Sequence, residues 1–108
     1  MNPRPPRLNL IVLRSANIER AASFYRELGL PVTRHSHGSG PEHYTLETGE
    51  LVFEIYPLTA KSSPTTGARI GFSVDSVDQL VGLLAGIGAL VVTPPADSEW
   101  GRGCRQRF

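Results

Sequence analysis

Glu54 is the residue whose position in this sequence most invites chemistry. It stands in LVFEIYP, residues 51–57, an otherwise apolar and aromatic run that Pro57 closes. Burying a carboxylate is costly unless a cation or a hydrogen-bond donor pairs with it. Glu54 is therefore a candidate metal ligand, a candidate group for holding a substrate, and a candidate member of an ion pair.

The three histidines of the chain fall in one short segment, HSHGSGPEH, residues 35–43. His35 and His37 would share a strand face and could begin a metal site. No cysteine, aspartate or further histidine stands at ligand spacing, although Glu42 precedes His43. We therefore expect solvated histidines beside a flexible Gly-Ser-Gly loop, which could act as a lid over a binding site.

Two further candidates lie near the end of the sequence. Cys104 lacks a general base nearby, but Arg102 and Arg105 are the kind of neighbours that lower the pKa of a thiol. Trp100, with Tyr56 and Tyr44, could line a pocket, although packing in a core or a dimer is equally compatible with these aromatic residues. The sequence contains no nucleophile-elbow, P-loop or dinucleotide-binding motif.

The elements that must position these residues are repeated within the chain. LNLIVLRSANIERAASFYRELGLPVTR, from residue 8, and ARIGFSVDSVDQLVGLLAGIGALVVTP, from residue 68, each predict a strand, a capped helix, a glycine and a strand. Asn17 and Ser76 are the predicted N-caps, and Gly29 and Gly88 are the predicted helix ends. Both pairs are separated by the same interval, so we infer one duplicated module.

The first module continues with HYTLET and LVFEIYP around Gly49 and Glu50, which is a tight-hairpin signal. Its order is therefore βαβββ. The repeat interval predicts a corresponding strand over residues 102–107 and places one more strand past residue 108. We predict an α+β fold of two βαβββ modules, the second incomplete, that form a curved mixed sheet with an open concave face.

The same pattern predicts the organisation of the chain. We expect a flexible arm over residues 1–7, the first module over 8–57, a linker over 58–68 and the second module over 69–108.

One helix for four strands covers one face of each module and leaves the other face open. The positions predicted to face the helices are all apolar: Ile11, Leu13, Leu51, Phe53, Ile55, Ile70, Phe72 and Val74. The opposite positions are mixed in character, as in a ligand-binding surface: Leu10, Val12, Arg14, Val52, Glu54, Tyr56, Arg69, Gly71 and Ser73. Glu54 is therefore predicted to face the open side.

Composition narrows the functional classes. The 108 residues have a net charge of +1, so no bulk field attracts nucleic acid or a membrane surface. No apolar run is long enough to cross a membrane. A single cysteine cannot form an internal disulfide, which favours the reducing cytoplasm.

The stretches NLIVLRSANIERAASFYRELGL, LVFEIYP and GARIGFSVDSVDQLVGLLAGIGA resemble the vicinal oxygen chelate superfamily. This group includes glyoxalase I, bleomycin-resistance proteins, extradiol dioxygenases and fosfomycin-resistance enzymes. The resemblance implies that metal-using members carry four ligands at the positions of Leu10, Glu54, Arg69 and a residue near 113. Only Glu54 is a metal-ligating type here, so we expect no metal at the superfamily's site and no cofactor.

The resemblance also implies that positions 54 and 69 lie close together, since they share one ion in metal-using members. We therefore expect an ion pair between Glu54 and Arg69. Alternatively, Arg69 binds an anionic ligand and Glu54 acts as a base or an orienting group.

The resemblance implies a metal-independent protein that binds a small organic molecule, of the bleomycin-resistance type, and an anionic ligand is one option. The sequence does not identify the ligand. The expected binding residues are Val12, Arg14, Glu54, Tyr56, Arg69, Ser73 and Trp100. A homodimer is expected, with strand exchange as one form, because an incomplete module exposes a sheet edge.

Two alternatives stay open. One is a glyoxalase-like or dioxygenase-like enzyme whose metal site is rebuilt from Glu54, the histidine segment or the partner chain. The other is a degenerate member that acts only as an interaction module. The sequence leans away from catalysis without excluding it.

Overall fold

The computed structural model describes residues 4–107. Residues 1–3, part of the predicted arm, and Phe108 lie outside the described residues. Two helices and six strands follow one another along the chain: β1 (Leu10–Ser15), α1 (Ile18–Leu28), β2 (Thr33–His35), β3 (His43–Thr48), β4 (Leu51–Pro57), α2 (Val77–Ala85), β5 (Leu90–Ser98) and β6 (Gly101–Arg107).

The first copy of the repeat folds into the predicted βαβββ unit. Its sheet has the order β1-β4-β3-β2, in which β1 runs parallel to β4 and the other neighbours are antiparallel. The predicted cap of α1 is confirmed, because the Asn17 side chain accepts a hydrogen bond from the backbone N–H of Arg20 at 3.0 Å. Gly29 ends the helix with φ 113°, a conformation that glycine adopts without strain.

Helix α1 covers one face of this sheet and creates the core. Ala22 and Val32 pack there with Tyr44, Phe53 and Ile55, and all five are buried. The surrounding partly buried residues include Ile11, Leu13 and Ile70. The predicted assignment of strand faces is therefore confirmed for Ile11 and Leu13 of β1 and for Phe53 and Ile55 of β4, while Ile70 packs against the core from a segment that is not a strand.

The second copy forms fewer of its predicted elements. Ser76 caps α2, as predicted, and the strand predicted over 102–107 is present as β6. Strands β5 and β6 form a separate two-stranded antiparallel sheet. The helix ends at Ala85, earlier than predicted, and Gly88 follows in a turn with φ 96°.

The strand predicted after residue 68 is not formed, and residues 58–76 contain no strand. In the first copy, β1 finds its backbone partner in β4. Among residues 4–107 no strand occupies the equivalent place beside 69–75, so this segment has no hydrogen-bonding neighbour. The α+β class is confirmed, but the mixed sheet is confined to the first copy.

No helix within residues 4–107 has both the length and the apolar character that crossing a membrane requires.

Candidate functional site

The candidate site is the face of the first sheet that points away from α1, which we call the open face. Val12 of β1 lies beside Glu54 of β4, and Thr45 of β3 lies on the other side of Glu54. Paired positions of neighbouring strands project to the same face of a sheet. Glu54 therefore faces the open side, as predicted.

A second row of side chains crosses the open face next to Glu54. Arg14 pairs with Tyr56, and His35 pairs with His43, in the register of the strands. The pairing of Tyr44 with Ile55 brings His43 beside Tyr56. The row thus runs across the sheet from a guanidinium through a phenol ring to two imidazoles.

The rings in this row are in contact. His43 stacks on Tyr56 with ring centroids 4.2 Å apart and planes inclined by 7°. The Arg14 guanidinium carbon lies 5.1 Å from the centre of the Tyr56 ring, in cation–π range. Since β4 lies between β1 and β3, Tyr56 separates Arg14 from His43.

The partner of Glu54 is His43, and the predicted ion pair with Arg69 is wrong. Glu54 Oε2 lies 3.4 Å from His43 Nε2, and the Glu54 side chain is 18% exposed. No ion pair of Arg69 occurs within residues 4–107. The physical reason is that Arg69 lies on the irregular segment rather than on a strand adjoining β4.

Arg69 lies instead along a groove on the helix side of the sheet, with a volume of about 1100 Å³. Tyr25 and Phe72 line this groove together with Leu84, and Cys104 reaches it from β6. Burial, with a smaller contribution from Asp78, raises the pKa of the Cys104 thiol. The protonated thiol is therefore favoured at neutral pH, which argues against a nucleophilic role.

Two more of the predicted binding residues lie away from the open face. Ser73 adjoins the start of α2, next to Asp75 and Ser76. Trp100 occupies the turn between β5 and β6 and is 89% exposed. Four of the seven predicted residues, Val12, Arg14, Glu54 and Tyr56, share the open face.

The histidine segment contributes more than the sequence indicated. His35 and His37 are exposed, as expected for solvated side chains, but the same expectation is wrong for His43, which is 1% exposed. One ring nitrogen from each of the three lies within 4.8 Å of the others. The signal that could have revealed this is the antiparallel return of the chain around residues 38–40, which sets His35 opposite His43.

Comparisons with known proteins agree with this fold. The model of the Glyoxalase/Bleomycin resistance protein/Dioxygenase superfamily matches residues 7–105. The chain belongs to this superfamily. Among curated proteins, no significant sequence match was found.

Several solved structures share the fold at low sequence identity. A hypothetical protein, SA1046, from S. aureus is 19% identical with a TM-score of 0.71, and the match covers 97% of this chain and 87% of that one. A glyoxalase/bleomycin resistance protein/dioxygenase family enzyme from Burkholderia phytofirmans PsJN is 16% identical with a TM-score of 0.70, covering 91% and 87%. TioX from Micromonospora sp. ML1 is 22% identical with a TM-score of 0.60, covering 95% and 90%.

The superfamily's metal positions do not suit an ion in this chain. Leu10 has no donor atom and is half exposed on the open face. Arg69 would present a cation, and it does not adjoin Glu54. Glu54 is thus the single ligand type among these three positions.

Proposed function

We propose that this superfamily member is a small-molecule-binding protein whose site is the open face of the first sheet. The proposal does not depend on a metal at the superfamily's positions. One observation carries it: Val12, Arg14, Glu54 and Tyr56 share one face of a sheet whose other face is sealed by α1. A sheet with one packed face and one mixed, uncovered face is suited to binding a ligand.

Arg14 indicates the charge of the ligand. Its Nη1 donates a hydrogen bond to the backbone oxygen of Pro57 at 3.2 Å. Within residues 4–107 no carboxylate lies within ion-pair distance of this guanidinium. The remaining N–H groups are therefore suited to a carboxylate or phosphate group of the ligand.

Leu10 and Val12 indicate an apolar part of the same ligand. They are 50% and 36% exposed on β1, on the same side of the sheet as Arg14. Both ring faces of Tyr56 are occupied by Arg14 and His43, so the ring edge is what remains for contact. A small organic anion with an apolar body fits this surface.

We also propose that a second copy of the chain covers the open face. Strand β1 is an edge of its sheet, and both strands of the β5–β6 hairpin are edges. Leu90, Val91 and Val92 are exposed on that hairpin, so exchange of the hairpin is one way to form the dimer. The cytoplasm is the setting we propose, on the strength of the single cysteine.

The binding proposal can be tested with matched pairs of small aromatic compounds. Benzoate and phthalate, each compared with its neutral amide, are titrated while the melting temperature and the backbone amide shifts are recorded. We expect the anions to stabilise the protein and to shift amides of β1 and β4. Ligand at about a hundred times its dissociation constant adds about 2.7 kcal/mol to the free energy of unfolding.

The variant Arg14→Gln should lose the preference for the anion, while the control Lys61→Gln, which removes an exposed positive charge from the linker, should keep it. Equal responses of both variants, or shifts confined to the helix-side groove, would contradict the proposal.

A second candidate, a metal-dependent enzyme of the glyoxalase or dioxygenase type, is favoured by one observation: three histidines form a cluster, and one of them, His43, lies 3.4 Å from Glu54. Isomerisation of a hemithioacetal and oxygen uptake with a catechol are the corresponding assays. Turnover that appears with a transition metal and disappears on chelation would favour this candidate.

A further inference from the structure

We propose that His35, His37 and His43, together with Glu54, form a binding site for a divalent transition-metal ion of the Zn²⁺ type. Three of these four ligands lie outside the positions at which the superfamily holds its metal. The inference goes beyond the proposed function, because the organic anion would bind on the Arg14 side of Tyr56 and the ion on the His43 side.

The backbone brings the three imidazoles together. His35 is the last residue of β2 and pairs with His43, the first residue of β3. Between them the chain reverses in a tight turn, in which the backbone N–H of Gly40 donates to the carbonyl of His37 at 2.8 Å. Gly38 has φ 56°, which favours glycine there. His37 therefore lies over the same end of the sheet, with its ring 4.8 Å from that of His35 and 5.5 Å from that of His43.

His43 is held in a form suited to binding a metal. Its Nδ1 lies 3.2 Å from the carbonyl oxygen of Pro41, and a carbonyl can only accept, so Nδ1 carries the hydrogen. Nε2 of the neutral ring then presents its lone pair. A backbone carbonyl bonded to the other ring nitrogen is the arrangement that orients metal-binding histidines.

This Nε2 atom is buried and lacks a hydrogen-bond partner within residues 4–107. The His43 side chain is 2% exposed, and the nearest charged group is Glu54 Oε2 at 3.4 Å. A lone pair and a carboxylate that face each other in a buried place repel unless a positive centre lies between them. A metal ion bound to both atoms would supply that centre.

The spacing of the groups suits such an ion. Ligand atoms around a tetrahedral Zn²⁺ lie about 3.3–3.5 Å apart, given bond lengths of about 2.0–2.2 Å. The His43–Glu54 separation already matches this value. The histidine nitrogens lie within 4.8 Å of one another, so they must approach by up to about 1.4 Å. His35 and His37 are exposed, which leaves their side chains room to do so.

The surrounding charges do not oppose a cation. Arg34 adjoins His35 in sequence, but it is paired with both Glu19 and Glu42. Arg14 is separated from His43 by the Tyr56 ring. Imidazole and carboxylate together select a transition metal over Mg²⁺ or Ca²⁺, which prefer oxygen ligands alone.

A proton is the competing positive centre, since a protonated His43 would form a simple ion pair with Glu54. The two occupants differ in a measurable way. A proton needs neither His35 nor His37, whereas the metal requires them.

The test uses untagged, chelator-treated protein, with Zn²⁺ in calorimetry and Co²⁺ in visible absorption as probes. We expect one ion per chain and a Co²⁺ spectrum that Zn²⁺ abolishes. His35→Gln and His37→Gln, both at exposed positions, should each weaken binding at least about tenfold without changing the melting temperature of the metal-free protein. Glu54→Gln should weaken it as well.

Two controls assign the binding to this cluster. Cys104→Ser removes the one thiol, and Glu42→Gln removes the adjacent carboxylate that pairs with Arg34. Both variants should bind the ion normally. Nitrogen-detected NMR of the imidazoles adds a direct readout, because Zn²⁺ should shift Nε2 of His43 and leave its Nδ1–H in place.

Absence of binding, binding that survives the loss of His35 and His37, or loss of binding in Cys104→Ser would each overturn the inference. Its failure is distinguishable from that of the proposed function. Arg14→Gln should leave Zn²⁺ binding unchanged, and His37→Gln should leave the response to organic anions unchanged.

Discussion

The two copies of the repeat begin from similar sequences and end as different structures. The first copy builds a four-stranded sheet sealed by α1, whereas the second builds one helix and a hairpin that is largely exposed. Val32 and Val91 occupy equivalent positions, yet the first is 1% exposed and the second 43%. Residues 10–15 form β1 beside β4, whereas the equivalent residues 69–74 form no strand. An apolar alternating segment thus becomes a strand only where a neighbouring strand accepts its hydrogen bonds.

The largest effect is expected from the core of the first copy. Phe53 is 3% exposed, and its ring meets that of Tyr25 edge-on, with centroids 4.9 Å apart. Phe53→Ala should lower the free energy of unfolding by about 3–5 kcal/mol, because it opens a cavity beneath α1. Urea denaturation measures this, and a loss below about 1 kcal/mol would mean that the first copy is not the stabilising unit.

Val32 and Val91, which are equivalent in the two copies, allow a direct comparison of how much each copy contributes to stability. Val32→Ala should cost about 2 kcal/mol, since it removes two buried methyl groups and leaves a cavity. Val91→Ala, at the exposed equivalent position, should change stability by less than about 0.5 kcal/mol. Equal losses in the two variants would contradict this contrast. They would indicate that the β5–β6 hairpin is covered in solution, as exchange of the hairpin between two copies would cause, and light scattering of the same samples would detect such a dimer.

The two helix caps provide a smaller test. Asn17→Ala and Ser76→Ala each remove one side-chain acceptor of a backbone N–H, at a cost of about 0.5–2 kcal/mol. We expect the larger loss for Asn17, because α1 covers the core and α2 contributes less buried surface. The melting temperatures of the two alanine variants give their order, and Asn17→Thr and Ser76→Thr, which keep a side-chain acceptor, serve as conservative controls. A larger loss of stability in Ser76→Ala would mean that the second copy, rather than the first, contributes more to the stability of the fold.

The smallest effect concerns Cys104 on β6. Burial raises the pKa of its thiol, so the thiolate fraction at pH 7 is below that of an ordinary cysteine. Alkylation by iodoacetamide should therefore be slower than for free cysteine at pH 7, and it should accelerate as the pH rises. A rate equal to that of free cysteine would mean that the helix-side groove leaves the thiol fully open.

Much of the first copy could be predicted from the sequence. The period-2 apolar pattern assigned Phe53 and Ile55 to the helix side and Glu54 to the open side, and both assignments are confirmed. The sequence also predicts the two ends of α1 correctly, because Asn17 and Gly29 act through hydrogen bonds to residues nearby in the chain. Local chemistry determines these features, so a single sequence suffices to predict them.

The failures depend on contacts between distant segments. The superfamily resemblance predicts Arg69 beside Glu54, but residues 69–75 form no strand and do not join the sheet that contains β4. His43 was expected to be solvated, but the register of β2 and β3 and the Tyr56 ring bury it. Such placements follow from strand order and register, which the local pattern of a sequence does not specify.

The central claim is that the functional surface lies on the open face of the first copy. The most direct test is an amide-detected NMR titration of the untagged protein with Zn²⁺ and, separately, with benzoate. We predict that Zn²⁺ shifts signals of β2, the following turn, β3 and β4, and that benzoate shifts those of β1 and β4. Perturbations concentrated on α2 and the β5–β6 hairpin for both probes would contradict the claim.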